Sequence, residues 1–253
     1  MPLDLEHIII FLASGLLLGI FGGSLGIGGG LLALPFLSFL GFELPIARLS
    51  CISNNIIIST ATAIRHHKNN RSFQGCPQLI LGSLIGLALG AWVASYNHRT
   101  FLWILYCSLS IIILILFITK SKNGDENFTE NIFKFICIGS VAGFFSMTLG
   151  IGGGGIIVPM LIRWAKVPMK KAIVLSIGTI FATSSLALGI AYFMKGSYWN
   201  TMGIKISLLM FPGMLIGGYV GADLGQKLPD KIIKTALCLL LLIGLLKGLA
   251  NAF

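Results

Sequence analysis

The sequence predicts an all-α, polytopic integral membrane protein of two inverted repeats. Each repeat is a glycine-broken helix pair followed by three long transmembrane helices. Three observations carry this. The chain has 253 residues, 56% hydrophobic and 10% charged, where soluble domains carry roughly 25% charged residues. Apolar runs such as 79–96 and 101–119 come near the ~20 residues that span a bilayer. A glycine-rich break occurs once in each half: Gly26-Ile27-Gly28-Gly29-Gly30 and Gly150-Ile151-Gly152-Gly153-Gly154.

The breaks set the organisation. In the first unit, 1–120, the broken pair is expected at 5–23 and 29–41, with long helices at 45–65, 76–97 and 100–119. In the second, 131–253, the matching segments are 131–147 and 153–164, then 170–194, 203–225 and 231–250. The polar segment 121–130 is a cytoplasmic linker. Pro35 and Pro159 follow the breaks, Pro45 and Pro168 follow those, and Ser53 and Ser176 each come eight residues later. The broken pair returns the chain to its starting side, so three long helices give an odd number of crossings. An odd repeat inserts upside down relative to its twin.

Charge supports the same count. Of 18 Lys and Arg, only Arg48, Arg99, Lys195, Lys205 and Lys247 fall on one side. The crowded side is cytoplasmic by the positive-inside rule. Both termini then face the periplasm across the cell inner membrane. The formal charge of +10 is thereby assigned to loops and lipid headgroups, not to nucleic acid. The N-terminus has no Lys or Arg before its apolar segment, so that segment is expected to be retained, not cleaved as a signal.

A clustered break inside a bilayer must be packed in protein or line a cavity, because no water is there to satisfy its backbone. Three meanings are weighed. One is a tight bend or close packing. The second is an anion site, since a helix starting after glycines points free N–H groups and its positive dipole end at a ligand. The third, a dinucleotide loop through Gly150-x-Gly152-x-x-Gly155, is rejected for want of a preceding strand. On the anion reading, the substrate-binding set is Ser24, Gly28, Gly29, Gly30, Ser53, Asn54, Asn55, Thr148, Gly152, Gly153, Gly154, Ser176 and Thr179. The hydroxyls are equally suited to interhelical hydrogen bonding. Asn54-Asn55 stands out, because two adjacent amides are costly in hydrocarbon without partners. No Asp or Glu falls mid-span, so neutral donors and helix dipoles favour an anion over a cation.

Other motifs weigh less. The stripes Gly82/Gly86/Gly90 and Gly213/Gly217/Gly221 let helices approach closely and join either the two halves or two subunits, so a homodimer is compatible with them. The five scattered cysteines are packing residues, and His66-His67 is a cytoplasmic loop. Gly22-Gly23-Ser24-Leu25 lacks the last glycine of a serine protease GxSG motif, and HExxH is absent. No catalytic residue, metal site or cofactor is expected.

The paired GIGGG…P segments, each followed by a second proline and a Ser/Thr-rich helix, resemble the TauE/SafE sulfite exporter (TSUP) family over nearly the whole chain. The resemblance implies a membrane transporter of sulfite or other small sulfur-containing or organic anions, with the glycine segments as binding elements. The expected function is secondary transport of a small anion, sulfite or an organosulfonate, by alternating access. The alternatives are a passive anion channel and a non-transporting membrane scaffold or assembly factor.

Overall fold

The computed structural model describes residues 5–95, 99–118, 131–194 and 199–252. These form α1 (Leu5–Leu25), α2 (Gly30–Phe39), α3 (Leu44–Lys68), α4 (Cys76–Ser95), α5 (Arg99–Ile118), α6 (Ile132–Leu149), α7 (Gly154–Arg163), α8 (Met169–Met194), α9 (Thr201–Lys227) and α10 (Asp230–Ala252). The all-α expectation and the order of elements are met among the described residues. The expected linker 121–130 lies outside them.

Local chemistry sets the helix ends. The side chains of Asn131 and Asn200 cap α6 and α9 by accepting from the backbone N–H of Lys134 and Met202. Such caps satisfy donors that have no partner within the helix. Gly150 ends α6 in the left-handed conformation, with φ of 74°, which glycine adopts without a Cβ penalty. The last turn of α3 is Arg65, His66, His67 and Lys68, whose basic side chains suit the negative end of the helix dipole. The helix therefore runs through the histidines, where the sequence suggested a loop, and His66 is fully buried.

Among the described residues, six helices are long and apolar enough to cross a membrane: α1, α4, α5, α6, α8 and α9. The short α2 and α7 are apolar too. Large apolar side chains such as Phe193, Phe133 and Leu208 point outward, more than two-thirds exposed, as a lipid-facing surface requires.

The glycine stripes decide which helices meet. A Cβ on Gly213, Gly217, Gly221 or Gly225 of α9 would strike a carbonyl of Leu12, Leu16, Ile20 or Ser24 on α1. A Cβ on Gly82, Gly86 or Gly90 of α4 would strike Ile136, Ser140 or Phe144 on α6. Gly15 and Gly19 of α1, and Gly139 and Gly143 of α6, answer from the other side. Both stripes thus join helices of one half to helices of the other. α3 and α8 pack against each other, with α9 beside α3 and α4 beside α8, and α5 packs on α10. At the end of the α3–α9 seam, Arg65 donates from Nε to Asp223 Oδ1 at 2.7 Å and from Nη1 to Tyr219 OH at 2.9 Å. Its Nη2 reaches Asp223 Oδ2, completing a two-pronged ion pair.

Candidate anion site at the paired glycine breaks

The two breaks meet. Gly30 opens α2, and a Cβ there would lie 2.8 Å from both Gly150 O and Ile151 Cα of the second break. Gly154 opens α7, and a Cβ there would lie 2.7 Å from Ile27 C and 2.8 Å from Gly26 O of the first. Each half-helix therefore starts against the other break, at an approach only glycine permits. Gly26, Gly28, Gly150, Gly152 and Gly153 all have φ between 68° and 76°, a region that costs other residues roughly 1–2 kcal/mol.

Two side chains reach from one half to the break of the other. Asn55 of α3 accepts from the N–H of Gly30 at 2.7 Å through Oδ1, and donates through Nδ2 to Gly150 O at 3.1 Å. The backbone donor fixes which way the amide points. Ser176 of α8 donates to Gly26 O at 2.6 Å. Gly26 and Gly150 hold the same place in the two breaks, so each matching carbonyl is served by the long helix of the opposite half. Asn55 also fills the space beside Gly28 and Gly152, where a Cβ would lie 2.6 and 2.5 Å from its amide atoms.

Gly28, Gly30, Asn55, Gly152, Gly154 and Ser176 are thus drawn into one cluster, and all are buried. The others sit differently. Gly29 packs on Ile58, and Gly153 on Ala142. Ser24, Ser53, Thr148 and Thr179 donate to carbonyls of their own helices, those of Phe21, Leu49, Phe144 and Leu175. Asn54 turns toward α9, with Nδ2 3.5 Å from Ser50 Oγ and 3.9 Å from Met210 Sδ. Its buried Oδ1 has no partner.

Two groups escaped the sequence reading. The Tyr106 hydroxyl on α5 donates to Leu31 O of α2, a contact hidden because Tyr106 lies in a continuous apolar run. Arg48, which charge counting assigns to the outer end of its helix, is 3% exposed. Its position inside 45–65 was the available signal, since an arginine within a predicted span is a functional candidate.

Electrostatically, the breaks gather the N-terminal ends of α2 and α7 in a region removed from solvent. Each end carries roughly half a positive charge. Their mutual repulsion is relieved by carbonyl oxygens here, and would be relieved further by an anion. No group of three or more His, Cys, Asp or Glu able to hold a metal forms among the described residues.

Residues 11–248 match the family described as sulfite exporter TauE/SafE. The chain belongs to the TauE/SafE family. It is a multi-pass membrane transporter of that family. It is 28% identical to a probable membrane transporter protein of Methanocaldococcus jannaschii, covering 88% of each chain. It is 26% identical to the probable membrane transporter protein YunE of Bacillus subtilis, over 93% of this chain and 95% of YunE. A second Bacillus subtilis relative, YdhB, is 27% identical over 88% and 92%. No solved structure matches the chain.

Proposed function

We propose that this TauE/SafE protein is a secondary transporter of a small anion, with sulfite or an organosulfonate as the substrate class. It works by alternating access, two inverted repeats rocking about the paired breaks. The observation that carries this is the crossed junction of Gly30 and Gly154 with Asn55 and Ser176. Two half-helix N-termini from different halves adjoin there, as in transporters built from repeats. The helix pairing agrees with a two-fold exchange of the units. If α1 to α5 correspond to α6 to α10, then α1 on α9 maps onto α6 on α4, while the α3–α8 and α5–α10 pairs map onto themselves.

Burial of the breaks favours a carrier over a passive channel. An open pore keeps a water path through its selective site, whereas these glycines are packed against one another. The charge distribution supports insertion in the inner membrane with both termini outward.

The test is sulfite flux in liposomes holding the purified protein, with and without a pH gradient. Saturable flux with counterflow is the expected result. Non-saturating flux would make the protein a channel. No flux of sulfite, thiosulfate, sulfonates or carboxylates above empty liposomes would overturn the anion-transport reading.

A further inference from the structure

Arg48 and Lys171 occupy the same place in the two sequence units. Each stands three residues after a proline, Pro45 or Pro168, and five residues before Ser53 or Ser176. Each therefore lies within the first turns of the long helix that follows a break. Arg48 is almost wholly buried, and its Nη2 donates to Met147 O at 3.4 Å, just ahead of the second break. The Arg48 carbonyl would be 2.6 Å from a Cβ on Gly150. Two helical turns further along the same face, on the order of 10 Å by the rise of a helix, is Asn55. Lys171 is half-buried. Two residues beyond it, the Cα of Ile173 would be 2.9 Å from a Cβ on Gly26, the glycine that matches Gly150.

A cavity of about 270 Å³ lies over the start of α3, lined by Glu43, Leu44, Pro45, Arg99 and neighbours. Arg48 stands one helical turn beyond Pro45 along α3, outside the lining of this cavity. The central donors are neutral, so these two residues would supply formal positive charge near the breaks. A cation at a low-dielectric mouth raises the local concentration of an anion.

We propose that Arg48 and Lys171 are the anion-recognition residues of the two entrances. Arg48 receives the anion from the side where α3 begins, and Lys171 from the side where α8 begins. This rests on the anion-transport reading above. On alternating access the substrate meets one cation at a time and passes Asn55 between them.

The experiment uses right-side-out and inside-out vesicles containing the full chain, with sulfite as the probe. R48Q is expected to raise the half-saturating sulfite concentration at least tenfold from the α3-start face and less than twofold from the other. K171Q should show the mirror image. R48K should stay within threefold of wild type. Unchanged half-saturation in the neutral variants, or a fall in maximal rate alone, assigns both residues a structural role and overturns the proposal while transport stands. If R48Q aggregates, K171Q decides. Absence of wild-type flux for every anion tried overturns the transport reading, and this proposal with it.

Discussion

Tyr106 donates its hydroxyl to the carbonyl of Leu31 at 3.1 Å, and Leu31 is four residues before Pro35. Proline has no N–H, so within α2 it strips that carbonyl of its helical partner. A side chain from α5 replaces the missing bond. A short half-helix in the protein interior thus keeps its proline without an orphaned acceptor, and α2 is tied to α5.

Tyr106→Phe is expected to lower stability by about 1–3 kcal/mol, the cost of leaving a buried carbonyl unpaired. Pro35→Ala returns an N–H to that carbonyl. Tyr106→Phe should therefore cost less in a Pro35→Ala background. Thermal unfolding of the four proteins in detergent measures the coupling. Strict additivity would show that the tyrosine does not serve the freed carbonyl.

Gly29 and Gly153 hold matching places in the repeat, yet their backbones differ. Gly153 caps α7 at φ of 73°, and a Cβ there meets the backbone oxygen of Ala142 at 2.7 Å. Gly29 caps α2 at φ of −89°, and a Cβ meets only the movable tip of Ile58 at 2.5 Å. Gly153→Ala is expected to cost about 2–4 kcal/mol from left-handed strain and overpacking together. Gly29→Ala should cost about 1 kcal/mol, the price of an off-rotamer isoleucine. Bulky replacements at either position should abolish sulfite flux. Equal melting shifts for the two alanine variants would contradict the backbone difference.

The helix seams give a third contrast. A Cβ on Gly86 would collide with Ser140 O, whereas one on Gly189 of α8 meets nothing within 4 Å. Gly86→Leu must push α4 off α6 and is expected to cost about 3 kcal/mol or more. Gly189→Ala removes backbone freedom from a helix interior and should stabilise by up to about 1 kcal/mol. Detergent-solubilised thermal stability checks both signs at once.

The legibility of these features in the sequence follows their physics. Apolar runs and glycine clusters depend on neighbours in the chain, so helix spans and breaks could be read directly. A glycine every fourth residue announces close approach but carries no label for its partner. That α9 would take α1, and α4 would take α6, emerged only in three dimensions. Asn55 was legible because a buried amide demands partners, though not that those partners would be Gly30 and Gly150. The hydroxyls of Ser53, Thr148 and Thr179 looked equally eligible, yet each is satisfied within its own helix. Composition cannot separate a hydroxyl turned back on its helix from one turned toward a ligand.

Asn55 offers the sharpest test of the junction. Asn55→Asp keeps an oxygen to accept from Gly30 N–H, but places a second oxygen where Nδ2 now donates to Gly150 O. It also adds negative charge where the proposed substrate is an anion. Asn55→Ala removes both bonds and leaves a buried donor and acceptor unpaired, each at about 1–3 kcal/mol. The two variants separate stability from transport. The alanine variant should be the more weakened in melting if the aspartate is protonated on burial, because a protonated carboxyl can both accept and donate. Sulfite flux should fall on the order of 100-fold in the aspartate variant, equivalent to about 2.7 kcal/mol, and fall further when external pH is raised to ionise it. A folded Asn55→Asp protein with wild-type flux at high pH would remove the amide from the anion's path.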